Sequence, residues 1–171
     1  MIDLLLDVEI FLTGEGVSYF RDEDGDLRFN CACGNSDFDC IVHQAGQILV
    51  LDALWIGEVP TDQLEVAEDV LRRLSNVYTS WGSTYFNRRR GQLAFTTSID
   101  LSMVTLRCER VGGILENLLD PFSKKIGAMH AVLNGTTAAD AAVDSYAMWV
   151  KEKIAKMMRP FLEGDADPSL N

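Results

Sequence analysis

The chain has 171 residues, 47% hydrophobic and 24% charged, so a packed core is within reach and wholesale disorder is excluded. Lys and Arg number 15 against 26 Asp and Glu, a formal charge of −11 that disfavours nucleic acid and anionic membrane surfaces as partners. No apolar run approaches the about 20 residues that cross a bilayer, and the start, Met1-Ile2-Asp3, lacks a basic segment. A soluble, cytoplasmic protein without a signal peptide is the expectation.

Leu4, Leu5, Val8, Phe11 and Leu12 share one helical stripe, which Gly14 and Gly16 stop. Tyr19 and Phe20 then form a short strand before the hairpin signal Asp24-Gly25. From Leu27 to Trp55 the hydrophobicity alternates. Turns centred on Asn35-Ser36 and on Ala45-Gly46 put Cys33 opposite Phe38, Cys31 opposite Cys40, Val42 opposite Leu49 and Phe38 opposite Ala53. One face of this meander then carries Leu27, Phe29, Cys31, Cys33, Phe38, Cys40, Val42, Leu49, Leu51, Ala53 and Trp55. After the loop Ile56–Pro60, Thr61 or Asp62 caps a helix with the stripe Leu64, Ala67, Val70, Leu71, Leu74 and Val77 or Tyr78. A hairpin follows, with Ser83–Asn87 and Gln92–Leu101 as strands and Arg88-Arg89-Arg90-Gly91 as the turn. Ser102–Leu133 reads as helical, in two pieces or bent, because Gly112-Gly113 and Asp120-Pro121 interrupt it. Thr137-x-x-Asp140 opens a last helix to about Met158, and Glu163–Asn171 is a frayed tail.

The fold class is therefore α+β: an antiparallel sheet, built as a meander plus a hairpin, with helices packed on it. The Val59-Pro60 approach to the middle helix, its end Leu71-Arg72-Arg73-Leu74-Ser75-Asn76, then Trp81-Gly82, Phe86 and Gly91-Gln92-Leu93-Ala94-Phe95, resemble the bacterial YbjN-type domain. That family is described as candidate sensory transduction regulators and shares its α/β sandwich with type III secretion chaperones. The resemblance covers roughly residues 2–134. It implies a chaperone-like or regulatory protein, small, acidic and dimeric. Residues 1–134 are expected to be this domain, 135–162 a C-terminal helical extension and 163–171 a flexible tail.

The chemistry-bearing residues argue against an enzyme. Cys31, Cys33 and Cys40 lie on the core face and His43 on the other, which breaks a zinc reading; the cysteines are expected to be buried thiols. The loop Asp22, Asp24, Asp26 lacks the later glutamate of a calcium site and reads as a solvated turn. His43 and His130 are the only histidines, and no nucleophile, P-loop or dinucleotide motif accompanies them. No cofactor or metal is implied.

The other sheet face carries apolar residues. Ile41 is expected opposite Val50 and His43 opposite Ile48, with Leu54 further along. Either the C-terminal helix folds back over this patch, or a partner does, or the residues are exposed singly. A protein partner or homodimer would use Ile41, Ile48, Val50 and Leu54, with Trp149 and Ile154 on the last helix. Arg88, Arg89 and Arg90 form a solvated loop tip or a contact for an anion or acidic segment. The leading function is a non-enzymatic protein-binding module. The alternatives are a small-molecule-binding or catalytic protein with a site between sheet and helices, and a structural subunit.

Overall fold

The computed structural model describes residues 3–77, 82–89, 91–102 and 108–162. The first helix, α1 (Leu4–Gly14), starts where the Asp3 carboxylate accepts the Leu5 N–H at 3.1 Å, and it buries Leu4, Leu5, Val8 and Leu12. Four strands follow: β1 (Tyr19–Arg21), β2 (Leu27–Cys33), β3 (Ser36–Ala45) and β4 (Ile48–Trp55). A 3-10 turn (Thr61–Gln63) leads into α2 (Leu64–Val77), which buries Ala67, Val70, Leu71 and Leu74. Strands β5 (Ser83–Asn87) and β6 (Gln92–Asp100) form the hairpin. Helices α3 (Cys108–Leu133) and α4 (Ala139–Leu162) complete the chain. Tyr78, Arg90 and the tail after Leu162 lie outside the described residues.

The strands form one six-stranded antiparallel sheet in the order β1-β2-β3-β4-β6-β5. Its inner face supplies Leu27, Phe29, Phe38, Cys40, Val42, Leu49, Leu51, Ala53, Trp55, Leu93 and Phe95 to the core. Phe95 stacks on Phe122 of α3 at 4.3 Å between ring centres and meets Phe38 edge-on at 6.2 Å. Residues of all four α-helices join that same buried cluster, so the helical layer lies on one side of the sheet.

One expectation about the meander is corrected. Its face assignment holds, but both registers are displaced by two residues. Cys33 pairs with Ser36, Cys31 with Phe38 and Phe29 with Cys40; Val42 pairs with Leu51 and Phe38 with Trp55. Cys31 and Cys40 are thus diagonal neighbours, not directly opposite. The cause lies in the turns, which are Gly34-Asn35 and Gly46-Gln47. Gly34 (φ +60°) and Gly46 (φ +67°) each occupy the first loop position, and among the described residues no non-glycine has positive φ. That sign pattern is the type II′ hairpin, which puts glycine first and matches strand twist. A two-residue shift preserves side-chain parity, so hydrophobic alternation alone does not distinguish the registers.

Of the alternatives open for the last helix, covering the outer sheet face is excluded: α4 packs on α2 and α3 in the helical layer. Lys153 ties it to Asp120 of α3 at 2.6 Å, and Arg73 of α2 pairs with Asp140 at its start. Helix α3 runs unbroken through both Gly112-Gly113 and Pro121. At Gly112 a Cβ atom would stand 2.7 Å from the Phe11 ring, so this glycine admits the close approach of α1 rather than ending the helix.

The turns generate a graded prediction. Nothing lies within 4 Å of a Cβ built on Gly46, whereas one on Gly34 meets Ser123 Oγ at 2.7 Å. Ser123 Oγ donates to the Cys33 carbonyl at 2.7 Å. Gly46→Ala is expected to cost about 1–2 kcal/mol from backbone strain alone, and Gly34→Ala more, because this hydrogen bond is disturbed too. Urea midpoints of the two variants, compared at equal m-value, check the order.

Candidate functional site

The outer face of the sheet is a ladder of side chains that none of the described helices covers. Its rows follow the pairings: Asn30, Asp39, Leu54, Ala94 and Tyr85; then Phe20, Arg28, Ile41, Asp52, Thr96 and Ser83; then His43, Val50 and Ser98; then Ala45, Ile48 and Asp100. The expected pairs of Ile41 with Val50 and His43 with Ile48 are corrected by the register. Ile41 faces Asp52, and His43 faces Val50. Phe20 (59% exposed), Tyr85 (58%) and Ile48 (39%) are the open apolar side chains, while Ile41, Val50 and Leu54 are half-buried. The polar members interlock: Thr96 Oγ1 donates to Asp52 Oδ1 at 2.5 Å, and His43 Nδ1 lies 3.9 Å from Asp52 Oδ2.

Trp149 and Ile154 do not join this face. Both belong to α4 in the helical layer, half-buried against the core. Trp149 stacks on Tyr146 at 5.5 Å and carries Lys153 Nζ over its ring at 5.2 Å. The partner-binding set read from sequence therefore divides between two surfaces. At the hairpin tip, Arg88 pairs with Glu68 of α2 and Arg89 is exposed; Arg90 lies outside the described residues. In the acidic loop, Asp22 accepts from the Asp24 and Asp26 N–H groups and pairs with Arg28 at 2.7 Å. Its carboxyl is held below the usual range chiefly by that guanidinium.

A second feature is a cleft of about 950 Å³ between the β2–β3 turn, the end of β4, and helices α3 and α4. Trp55, His130, Tyr146 and Trp149 give it aromatic walls, and Asp37, Lys124, Thr137 and Ser145 line it with polar groups. His130 packs edge-on against Trp55 at 5.2 Å. The two histidines thus sit on opposite sides of the sheet. The Tyr146 hydroxyl is buried and has no hydrogen-bond partner. Burial, with the charge of Asp120 behind it, raises its pKa and keeps it protonated.

Three titratable groups escaped the sequence reading or contradict it. Lys125 is only 3% exposed, on the same α3 stripe as Phe122, Ile126 and Met129. The signal was its position, three residues after Phe122 and four before Met129. No carboxylate pairs with it; its ammonium donates to Ser75 Oγ and Thr84 Oγ1, each at 3.3 Å, and lies 5.9 Å from the Phe122 ring centre. Burial pushes its pKa down to about 8. The thiols correct a second expectation: Cys40 is fully buried, but Cys31 and Cys33 are half-buried. They lie in the last part of β2, beyond the short β1, where the core thins. Among the described residues, no group of three or more His, Cys, Asp or Glu side chains is placed to hold a metal ion. No helix there is long and apolar enough to cross a membrane.

No protein-family model matches this chain, and no curated protein matches it. Solved structures do. The crystal structure of YbjN from E. coli, described as a candidate transcription regulator, superposes with a TM-score of 0.51 at 14% identity, over 79% of this chain and 97% of that one. An uncharacterized protein from Methanothermobacter thermautotrophicus gives a TM-score of 0.53 at 12% identity, over 75% and 97%. At these identities the likeness is one of fold.

Two predictions follow from the buried polar groups. The folded-state pKa of Lys125 lies below the ordinary 10.5, so between about 8 and 10.5 the unfolded chain binds the extra proton and stability rises with pH. Lys125→Met is expected to stabilise at pH 7 by an amount on the order of 3 kcal/mol, with Ser75 and Thr84 left to bond each other. The advantage shrinks toward pH 10.5; melting curves of both proteins across that range check it. For Tyr146→Phe, loss of an unpaired buried hydroxyl predicts unchanged or higher stability, by up to about 1 kcal/mol. A loss of more than that in urea titration would show that the hydroxyl has a partner in solution.

Proposed function

We propose that this protein is a non-enzymatic protein-binding module, chaperone-like or regulatory, whose partner lies on the outer face of the sheet. The single observation behind this reading is that face itself: six strands wide, free of any helix, and studded with Phe20, Tyr85, Ile48, Ile41, Val50 and Leu54. Residues 1–134 form the docking domain in this reading, and the 135–162 extension braces α2 and α3. The resemblance to YbjN-type domains and secretion chaperones points the same way.

Charge selects the occupant. The face presents the carboxylates of Asp39, Asp52 and Asp100 against the guanidinium of Arg28, which Asp22 already engages. With a chain charge of −11, a second copy face to face is repelled. A segment alternating basic and aliphatic residues is complementary in both charge and apolar spacing. Full burial of a medium aliphatic side chain contributes roughly 1.5–3 kcal/mol, and these are already half-buried, against association costs of about 4–15 kcal/mol. The contact is accordingly weak and exchangeable.

The test is titration of synthetic extended peptides alternating Lys or Arg with Val or Ile. Wild-type protein is expected to bind them, and Val50→Asp to weaken binding at least tenfold with the melting temperature nearly unchanged. Equal binding by wild type and Val50→Asp defeats the assignment of the face. A dimer mass lost in Val50→Asp by sedimentation assigns it to a second copy instead. The cleft supports a second reading, a small-molecule site between sheet and helices, because aromatic walls and convergent polar groups are the usual make-up of such sites. A small-molecule screen read by thermal shift, in which Trp149→Ala abolishes the hits, would favour it.

A further inference from the structure

Cys31 Sγ and Cys40 Sγ are 3.5 Å apart on the inner face of the sheet. They come from neighbouring strands, diagonal across the β2–β3 pairing, with Phe38 opposite Cys31 and Phe29 opposite Cys40. Their environments differ. Cys40 is completely buried and Cys31 is half-buried at the margin of the core. We propose that these two residues are a peroxide-oxidisable thiol pair, with Cys31 the attacking sulfur and Cys40 the resolving one.

The division of labour follows from exposure. Cys31 is the sulfur that an oxidant can reach, and its hydrogen bond with Cys40, in which either thiol can donate, lowers its pKa against opposing burial and the nearby Asp37 carboxylate. Cys40 is held protonated by that same bond, by burial, and by Asp39. The thiolate is the nucleophile, so the accessible member is also the activated one. Cys33 is an internal control. It is half-buried like Cys31, but burial and the Asp120 carboxylate raise its pKa.

The chemistry balances with hydrogen peroxide as oxidant. The Cys31 thiolate attacks one peroxide oxygen, the O–O bond breaks, and hydroxide leaves with the electron pair. Cys31 is then a sulfenic acid. Cys40 sulfur, as it loses its proton, attacks Cys31 sulfur; the S–O bond breaks and water departs. The pair has lost two electrons and two protons, and the peroxide has become two waters.

Closing the bond requires movement, and the sheet supplies it on one side. Disulfide geometry needs an S–S distance near 2.05 Å and Cβ atoms about 3.8 Å apart, closer than diagonal positions usually stand. Strand β1 pairs with β2 only from Leu27 to Phe29, so Asn30 to Cys33 form a free edge. Strand β3, which holds Cys40, is fixed between β2 and β4. The end of β2 can therefore shift on the side away from β3, held by its ladder to β3 and by the Ser123–Cys33 hydrogen bond. A bond made under that strain is readily reduced again, which makes the modification reversible.

This inference is independent of the docking face, since the thiols point into the opposite side of the sheet. It is tested on the full chain with hydrogen peroxide at a few equivalents, alkylation of remaining thiols, and peptide mapping by mass spectrometry. The expected product is a Cys31–Cys40 linked peptide two mass units below the dithiol, formed at least tenfold faster than any oxidation of Cys33, and reversed by dithiothreitol. In Cys40→Ser, and in Cys40→Ala should the serine fail to fold, Cys31 is expected to persist as a sulfenic acid trapped by dimedone. Oxidation of Cys33 first, Cys31 oxidised with Cys40 still alkylatable, or no linked peptide before the protein unfolds would each overturn the proposal.

Discussion

The contact between Phe95 and Phe122, with Phe38 at the edge of the stack, fixes the side of the sheet on which the helices must lie. All three rings are fully buried, and they join the middle of the sheet to the centre of α3. Once α3 is seated there, α1 and α2 flank it on the same face, and α4 closes over α2 and α3. One sheet face is then covered and the other is not. An antiparallel sheet tolerates this, because alternate residues can be polar. Here the alternation is incomplete, and the apolar residues that remain on the open side are what the functional reading rests on.

The same one-sided packing explains the unusual interior groups. Lys125 falls on the buried stripe of α3, where a fully apolar side chain would be cheaper by several kcal/mol. Two hydroxyls and a ring face make burial of its amine tolerable. Tyr146 is drawn inward by α4, with Trp149 stacked on it, and its hydroxyl ends beyond the reach of an acceptor. Both residues lie where two helices and a strand or a third helix converge. Such junctions pack less regularly than a helix on a sheet, and polar atoms are trapped in them.

The thiols show how a small topological detail becomes chemical. Had β1 been as long as β2, Asn30 to Cys33 would be held on both sides and Cys31 would be as buried as Cys40. The three-residue β1 leaves that end as an edge. A half-exposed sulfur beside a buried one results, from strands that share a face by simple alternation.

Sequence by itself determined the order of the strands and main helices, the parity of every strand from Leu27 onward, and the core face. These are encoded locally, in side chains two or three to four residues apart and in turn residues between them. It also determined that the acidic loop is a turn. Only the tertiary structure decided the register, since glycine in the first loop position moved both turns while leaving every side chain on its expected face. Only it decided that α4 joins the helical layer, so that Trp149 and Ile154 part company with Ile41, Ile48, Val50 and Leu54. And only it set the exposure of Cys31 and Cys33 and the burial of Lys125, because burial depends on what arrives from a distant part of the chain, and local periodicity does not carry that information.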